Sequence, residues 1–503
     1  MGRTIPDLLA GRDGPALGAP GRPDLDYAGL SATIERVGGQ LAGLGNGPGD
    51  GVAIVLPNGP EAAACFLAVA SFATAAPLNP AYTEAEFAFY LEDLSAKRLI
   101  LAGNAETPAR AAAERLGIPV SVLSAGAAAG DIALDAPKAK PGRRNRAEDA
   151  ALVLHTSGTT SRPKIVPLTA ANICASAAHI ATSLTLSPAD RGLNVMPLFH
   201  IHGLIAAVLS SLAAGAAVTC TPGFDALKFF GWLGAERPSW YTAVPTMHQA
   251  ILTRAKRNQA ALAEIRLRLI RSSSAALPVP VLEALEATFG CPVIEAYGMT
   301  EAAHQMAANP LPPAARKPGT VGVAAGPEVA IMDAEGRLLP TGAVGEIVIR
   351  GPNVTPGYRN NPKANAENFT QGWFRTGDQG AIDGQGYITI RGRLKEIINR
   401  GGEKISPREV DDVLIAHPAI AQVVTFAIPH RMLGEDVAAA VVLEEGAEAD
   451  AAALRAYAAE RLAAFKVPAR IEILAEIPKG ATGKLQRIGL AEKLGIGMPE
   501  REA

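Results

Sequence analysis

The sequence has few cysteines, few aromatic residues and little charge. Its 503 residues include four cysteines and no CxxC pair, which argues against zinc-ribbon and dithiol redox sites and predicts buried thiols in a reducing cytosol. Charged residues make up 19% of the chain and the formal net charge is −2, so there is no electrostatic basis for binding nucleic acid or an anionic membrane. Hydrophobic residues make up 48%, enough for about two to four domains of roughly 150 residues each. We therefore expect a small-molecule partner.

One uncharged stretch, residues 203–224, approaches the length of a membrane span. Serine, threonine and glycine interrupt it, and Pro222-Gly223 marks a turn. We predict a buried helix followed by a buried strand over residues 216–220, and no membrane span. Residues 1–10 lack the apolar run of a signal peptide, so a cytoplasmic location is expected.

Short Val- and Ile-rich segments alternate with Ala- and Leu-rich helical segments along most of the chain. This alternation predicts an α/β fold with mostly parallel sheets, stacked and covered by helices on both faces. Residues 125–147, rich in Gly, Pro and small residues, are predicted to form a loop between two lobes. From about residue 326 short strands and turns predict a β subdomain, and the last hundred or so residues predict a compact α+β unit.

A polar loop follows the buried strand predicted at residues 149–155. Hydroxyl groups, backbone N–H groups and two cations in one loop suit the binding of a polyphosphate. It is not a Walker loop, because Ile165 follows Lys164 where that motif has Ser or Thr. An ordinary polar surface loop is the alternative for this segment alone. The loop consists of Thr156, Ser157, Gly158, Thr159, Thr160, Ser161, Arg162, Pro163 and Lys164.

Five segments in this order resemble the motifs of the acyl-adenylate-forming superfamily, the AMP-forming acyl-CoA synthetases. They are TSGTTSRPKIVPLT from Thr156, Tyr297-Gly298-Met299-Thr300-Glu301, Arg375-Thr376-Gly377-Asp378, Gly392-Arg393-Leu394-Lys395-Glu396 and Pro478-Lys479-Gly480-Ala481-Thr482-Gly483-Lys484. The resemblance implies a large domain of residues 1–394, with its β-rich part at about 326–394, and a small mobile domain of residues 395–503 hinged at Lys395.

The resemblance implies an acid–CoA ligase that uses ATP, Mg²⁺ and coenzyme A. An acid and ATP would give an acyl-adenylate, which CoA would convert to a thioester. Asp378 has the carboxylate that ribose hydroxyls need, and Glu301 has the hard oxygens that Mg²⁺ prefers. Tyr297 would stack on adenine. The ATP-binding residues implied are Thr156, Ser157, Gly158, Thr159, Thr160, Lys164, Ala275, Ala276, Tyr297, Gly298, Thr300, Asp378 and Arg393.

Three further roles come from the same resemblance. Lys484, with Thr300 and Lys164, would be catalytic, because two anions that react in line need a cation beside the approaching oxygens. Rotation about Lys395 would then exchange Lys484 for a glycine-rich loop that binds CoA. The CoA-binding residues implied are Arg400, Gly401, Gly402 and Lys404.

The residues expected around the acid are similar to those of oxalyl-CoA synthetases. His202, Ser272 or Ser274, and His304 would bind the second carboxylate of a small dicarboxylate, which has no hydrophobic surface to recognise. Malonate and medium-chain or aromatic acids are alternative substrates. A carrier-protein-loading adenylation enzyme and a nucleotide-binding protein without catalysis are alternatives of other classes.

The phosphate loop departs from the family pattern TSGTTGRPKG at Ser161 and Ile165, where the family has glycine. Ser161 keeps a hydrogen-bond donor. Ile165 is β-branched and tolerates positive φ poorly, so we predict an extended backbone there and a slower adenylation step.

Overall fold

The computed structural model describes residues 3–103, 106–136, 139–156, 163–480 and 485–496. Within these ranges the chain forms two large sheets and two smaller ones. The first large sheet has five parallel strands and an antiparallel strand at each edge. In spatial order its strands are Ile132–Leu134, Val120–Ala125, Arg98–Ala102, Gly51–Val55, Thr74–Pro77, Ala150–His155 and Ile165–Thr169.

The second large sheet has six parallel strands at its centre, flanked by antiparallel strands. In spatial order these are Val323–Ala324, His304–Ala308, Val293–Met299, Leu269–Ser272, Trp240–Ala243, Arg191–Asn194, Ala217–Cys220, Pro15–Ala19 and Arg22–Asp26.

The third sheet is antiparallel and forms the predicted β subdomain, with strands Glu328–Met332, Gly345–Arg350, Trp373–Ile382, Phe369–Thr370 and Ile388–Arg393. The fourth sheet belongs to the C-terminal part of the chain, with strands Glu403–Ile405, Ile398–Arg400, Gly434–Leu443, Ile420–His430 and Arg470–Ile473.

Helices cover the sheets and fill the space between the two large ones. The α-helices are Ile5–Leu9, Tyr27–Gly43, Pro60–Phe72, Glu84–Asp93, Pro108–Arg115, Ala170–Ser183, Ser210–Ala213, Phe229–Glu236, Pro245–Ala255, Gln259–Glu264, Val279–Phe289, Pro362–Asn368, Pro407–Leu414, Ala451–Ala459 and Leu490–Lys493. A π-helix spans His202–Leu209, and short 3₁₀ turns span Thr300–Ala302 and Ala464–Lys466.

The alanine-rich helix Pro60–Phe72 shows why the large sheets stack. It contacts strands of both sheets and is buried along nearly its whole length. Small alanine side chains let both sheets approach a helix that has no solvent-facing side. The helix Ala170–Ser183 also contacts both sheets. This layered arrangement confirms the predicted α/β class.

Residues 203–224 form the predicted buried helix and strand, in a modified form. The helix begins as the π-helix His202–Leu209 and continues as Ser210–Ala213, and the strand Ala217–Cys220 follows inside the second sheet. Among the described residues, no helix combines the length and apolarity needed to cross a bilayer.

The prediction of a continuous loop over residues 125–147 was wrong in one place. Ile132–Leu134 forms an edge strand that pairs with Val120–Ala125. Ile132 and Leu134 are both buried, so an alternation of buried and less buried residues over only three positions is sufficient to form a strand. The surrounding glycines and prolines concealed it.

The predicted extended backbone at Ile165 is confirmed. Ile165 begins the strand Ile165–Thr169, pairs with His155 and packs in an apolar cluster of the first sheet. An extended residue needs no positive φ, and a buried strand position favours a β-branched side chain.

The C-terminal part of the chain has apolar clusters of its own, formed by residues from Ile398 onward. One bond to the rest of the molecule runs from Gln249 Nε2 to the carbonyl oxygen of Ala421, at 2.7 Å. The predicted division at Lys395 stays a prediction.

Candidate active site

Two of the predicted site residues, Ser274 and Thr300, lie at the carboxyl ends of parallel strands in the second sheet. Ser274 follows Leu269–Ser272, and Thr300 follows Val293–Met299. These strands are neighbours and parallel, so the segments that leave them emerge at one edge of the sheet. Open α/β sheets bind ligands at this edge.

Asp378 is a buried carboxylate that contacts both Arg393 and Tyr297. It pairs with Arg393 on the adjacent strand, and Arg393 Nε lies 3.1 Å from Asp378 Oδ1. The Tyr297 hydroxyl donates to Oδ2. The Asp378 carboxylate raises the pKa of Arg393. Burial raises the pKa of Tyr297 well above its usual range. The sequence analysis predicts that all three residues bind the same nucleotide, and the structure brings them together.

Glu301 forms a second group with Tyr358 and Lys164. The Tyr358 hydroxyl donates to Glu301 Oε1 at 2.8 Å, and Lys164 Nζ lies 4.4 Å from the centre of the Tyr358 ring. Burial raises the pKa of Glu301, and the hydrogen bond from Tyr358 opposes this shift. Sequence reasoning missed Tyr358, since it lies outside the five motifs.

Lys164 closes the base of the predicted phosphate loop. The Thr156 N–H donates to the Lys164 carbonyl oxygen at 3.0 Å, and the Lys164 N–H donates to Thr156 Oγ1 at 3.1 Å. Burial lowers the pKa of the Lys164 ammonium, Glu301 raises it, and the like charge of Lys395 lowers it. The hinge lysine of the sequence prediction is therefore within electrostatic reach of the loop. Ser157, Gly158, Thr159, Thr160 and Lys484 lie outside the described residues.

The donor set at Glu301 fits a magnesium ion that nucleotide phosphates help to hold. Glu301 is a buried carboxylate, and among the described residues no group of three or more His, Cys, Asp or Glu could form an all-protein metal site. Mg²⁺ in nucleotide enzymes commonly uses one or two carboxylates, and phosphates and water supply its other ligands.

The predicted acid-binding histidines lie side by side. The rings of His202 and His304 have centroids 5.0 Å apart, and both side chains are buried. His202 Nδ1 lies 2.9 Å from Ser274 Oγ, and His202 Nε2 lies 2.6 Å from Thr242 Oγ1. The result is a buried polar cluster within an apolar sheet.

The backbone around this cluster is strained at three non-glycine residues. Ser274 has a φ of 75°, Ala303 of 47° and His304 of 102°. Such conformations cost of order 1–3 kcal/mol each and are held by their surroundings. Gly298 belongs to these surroundings, because a Cβ there would lie 1.7 Å from the His304 carbonyl oxygen.

Ser272 is the predicted acid-binding residue that the structure places elsewhere. Side chains alternate along a strand, so Ser272 points to the face opposite Arg271. Arg271 contacts Thr242 and His304, and hence lies on the histidine face. Ser272 Oγ is buried without a hydrogen-bond partner. Ser274, beyond the strand, reaches His202 instead.

Arg271 was missed by sequence reasoning. It is completely buried, and burial lowers its pKa to about 9. Its Nη2 lies 3.2 Å from Gln305 Oε1 and 3.4 Å from His304 Nδ1, and its Nη1 lies 3.5 Å from Thr242 Oγ1. The available signal was an arginine inside the otherwise apolar strand segment Leu-Ile-Arg.

Other predicted residues are placed as follows. Ala275 and Ala276 are exposed in the segment after Ser274. Gly401 and Gly402, with φ of 59° and 98°, form the two-residue turn of a hairpin, which favours glycine at both positions. Arg400 Nε lies 2.6 Å from Asp436 Oδ1, so its side chain is engaged within the C-terminal part. Lys404 is exposed beside the turn.

All four cysteines are buried and unpaired, as predicted. Burial raises the pKa of each thiol. A protonated thiol is a poor nucleophile, so these residues have no part in acyl transfer.

Comparison with known proteins agrees with this geometry. Residues 11–359 match the AMP-binding enzyme family, and residues 409–484 match the AMP-binding enzyme C-terminal domain. The chain is 46% identical to an oxalate–CoA ligase of Arabidopsis thaliana over 94% of each chain. It is 42% identical to that of Saccharomyces cerevisiae, over 88% of this chain and 86% of the yeast protein. The crystal structure of ATP-bound MatB from Rhodopseudomonas palustris superposes with a TM-score of 0.89 at 29% identity, covering 98% of this chain and 99% of that one.

Proposed function

The chain belongs to the AMP-binding enzyme family and is an AMP-forming acid–CoA ligase, and we propose that its acid is oxalate. In the first step oxalate and ATP give oxalyl-AMP and pyrophosphate. In the second step coenzyme A attacks the acyl carbon, giving oxalyl-CoA and AMP. The acyl carbon is electrophilic in the adenylate, whereas it is unreactive in the free carboxylate.

Asp378 is the residue that binds the ribose hydroxyls. Its carboxylate accepts a hydrogen bond from the Tyr297 hydroxyl and forms an ion pair with Arg393, so both contacts fix its position. Tyr297 then places its ring beside the adenine, and Arg393 lies close enough to reach the ribose or the phosphates. Gly298, Ala275 and Ala276 complete the nucleotide site, with Thr300 donating to the α-phosphate.

Lys164 and Glu301 carry opposite charges and act on the phosphates in different ways. Lys164 neutralises charge that develops on the departing pyrophosphate, with Thr156 and the loop residues Ser157 to Thr160 as donors. Glu301 holds Mg²⁺, which supplies charge neutralisation on the phosphate oxygens when bound. Tyr358 keeps the Glu301 carboxylate in place through its hydrogen bond.

The observation that carries the choice of acid is the buried pair of histidines beside Ser274. Desolvating the second carboxylate of oxalate costs free energy unless polar groups replace its water, and His202, Ser274 and His304 gather such groups in one place. An apolar acid chain would gain no hydrogen bond from this polar surface. The two oxalate–CoA ligase relatives support the same choice.

Lys484 supplies the ammonium group that lies between the attacking carboxylate and the α-phosphate. After adenylation, the small domain turns about Lys395 and brings the turn at Gly401 and Gly402 to the CoA thiol arm. Arg400 and Lys404 flank this turn. The C-terminal family match, which extends to residue 484, supports this assignment.

A panel of acids tests the proposal. We expect ATP–pyrophosphate exchange and CoA-dependent AMP release to be fastest with oxalate, slower with malonate and slowest with hexanoate or benzoate. Preference for an acid of six or more carbons would contradict the oxalate assignment. Exchange without CoA-dependent AMP release would favour a carrier-protein-loading enzyme.

A K484A variant separates the two half-reactions. It should lose adenylation and still convert a preformed acyl-AMP to acyl-CoA, because the ammonium group is needed only in the first step. Equal loss of both half-reactions would contradict the role of Lys484.

A further inference from the structure

Arg487 connects separate segments of the C-terminal part of the chain. Its Nε lies 3.2 Å from Glu396 Oε2, and its Nη2 lies 2.8 Å from Asp411 Oδ2. Its Nη1 donates to the carbonyl oxygen of Thr425. The side chains of Arg487, Glu396 and Asp411 are 20%, 24% and 16% exposed, so water and salt screen their charges only in part.

The shape of the guanidinium group matters for these contacts as much as its charge. Burial lowers the pKa of Arg487, and the charges and hydrogen bonds of Asp411 and Glu396 outweigh this effect and raise it. Asp411 is held in turn by Thr425, whose N–H donates to Asp411 Oδ1 at 2.6 Å. A planar guanidinium directs its N–H groups to two carboxylates and a carbonyl oxygen at once, which a lysine ammonium group does not match.

One of the connected segments is the turn at the predicted hinge. Glu396 directly follows Lys395, and its N–H donates to the carbonyl oxygen of Arg393 at 2.9 Å. Arg393 in turn forms the ion pair with Asp378 in the nucleotide site. The carboxylate that meets Arg487 is therefore attached to the chain one residue beyond the point about which the small domain is proposed to turn.

Another connected segment is the end of the loop that carries Lys484. Lys484 itself lies outside the described residues, and Arg487 follows it by three positions in the sequence. Both ends of the loop are described, and they lie together, because the Gln486 N–H donates to the carbonyl oxygen of Pro478 at 3.2 Å. Arg487 comes directly after this contact and joins the closed end of the loop to the hinge turn.

We propose that Arg487 is a positioning residue for Lys484. Through its ion pair with Glu396 it fixes the end of the Lys484 loop to the hinge turn, so that the rotation set at Lys395 determines where the Lys484 ammonium group lies during adenylation. Arg487 and Glu396 both follow the hinge, so their ion pair can move with the small domain. This inference rests on the proposed function, since it assumes the roles of Lys484 and Lys395.

The test measures the two half-reactions separately in E396Q and R487Q. E396Q leaves Arg487 bonded to Asp411 and Thr425, so the C-terminal part of the chain should stay folded. We expect E396Q to slow ATP–pyrophosphate exchange with oxalate about tenfold, and R487Q to slow it at least as much, because each removes a hydrogen bond between charged groups. In E396Q, conversion of a preformed acyl-AMP to acyl-CoA and the KM for ATP should change by less than about threefold.

A double-mutant cycle tests whether Glu396 acts through Arg487. If it does, the E396Q/R487Q double variant should adenylate within about twofold of the rate of R487Q alone. Losses that multiply in the double variant would overturn the proposal. Equal loss of both half-reactions in E396Q would also overturn it, because that is the result expected of an ion pair that only stabilises the fold.

Glu409 offers a matched control in the same part of the chain. It accepts from Lys466 Nζ at 2.6 Å, and this ion pair joins the helix Pro407–Leu414 to the turn Ala464–Lys466. E409Q should leave both half-reactions within about twofold of the wild type. A selective loss of adenylation in E409Q as large as that in E396Q would count against the proposal. The failure of the proposed function is distinct: wild-type enzyme would then not adenylate oxalate, or K484A would retain adenylation, whatever the behaviour of E396Q.

Discussion

The Tyr358 hydroxyl should set the pH at which the enzyme loses activity on the acid side. It donates to Glu301 Oε1 at 2.8 Å and thereby stabilises the ionised carboxylate against the burial that raises its pKa. A hydrogen bond to a charged group contributes about 1.5–3 kcal/mol, and one pKa unit corresponds to about 1.4 kcal/mol. Y358F should therefore raise the pKa of Glu301 by about one to two units.

The measurement is kcat/KM for Mg·ATP in pyrophosphate exchange, across a range of pH. Protonation of Glu301 removes a metal ligand, so activity falls as pH drops through its pKa, and in Y358F this fall should begin at a higher pH. Activity at alkaline pH should recover toward that of the wild type, since the carboxylate is then ionised in both proteins.

Tyr387 offers a matched control, because Lys317 Nζ lies 4.2 Å from its ring centre and its hydroxyl donates to the carbonyl oxygen of Ala315. Y387F removes the same atom beside a similar lysine, but this hydroxyl donates to a backbone carbonyl oxygen and not to a carboxylate, so the acid limb should stay in place. If Y358F and Y387F have the same acid limb, Tyr358 does not control Glu301.

Three further changes follow from groups described above or from buried charge. D378N should raise the KM for ATP by about 10- to 100-fold and leave the KM for oxalate constant. The reason is that the substitution removes the negative charge from the carboxylate of the nucleotide site. An unchanged KM for ATP would contradict this prediction. Burial raises the pKa of Glu295 to about 7, so the folded state loses stability as pH rises from about 4.5 to 7. In urea unfolding, the free energy of unfolding of E295Q should therefore exceed that of the wild type by about 2–3 kcal/mol at pH 8 but not at pH 4.5. I165G should lower the free energy of unfolding by about 3–5 kcal/mol by emptying a core position. Its adenylation rate tests the penalty inferred from the sequence: a faster rate in the folded variant would support that penalty, and an unchanged rate would remove it.

The sequence was sufficient for the fold class, because strand and helix periodicities alternate along the chain. It was insufficient for the strand Ile132–Leu134, whose three residues are too few to show a period. The π-helix beginning at His202 could not be predicted from the sequence either, because π-helices and α-helices have nearly the same pattern of apolar residues.

The nucleotide group could be predicted because its residues belong to recognisable motifs. Which serine meets His202 depended on where the strand Leu269–Ser272 ends, because Ser274 lies beyond the strand, with a φ of 75°, and no longer follows its alternation of faces. Tyr358 lies outside the five motifs, so only tertiary packing reveals its contact with Glu301 and Lys164. Arg271 precedes the predicted Ser272 in the same strand, and its contact with His304 is likewise seen only in the folded chain.

The burial of every cysteine has a consequence for an enzyme that makes mixed anhydrides. Oxalyl-AMP would acylate any accessible thiolate, and such self-modification would consume ATP and inactivate the catalyst. Because Cys65, Cys174, Cys220 and Cys291 are buried and burial raises the pKa of each thiol, the protein presents no thiolate of its own to the intermediate. The sulfur that collects the acyl group is therefore the one that arrives with the second substrate.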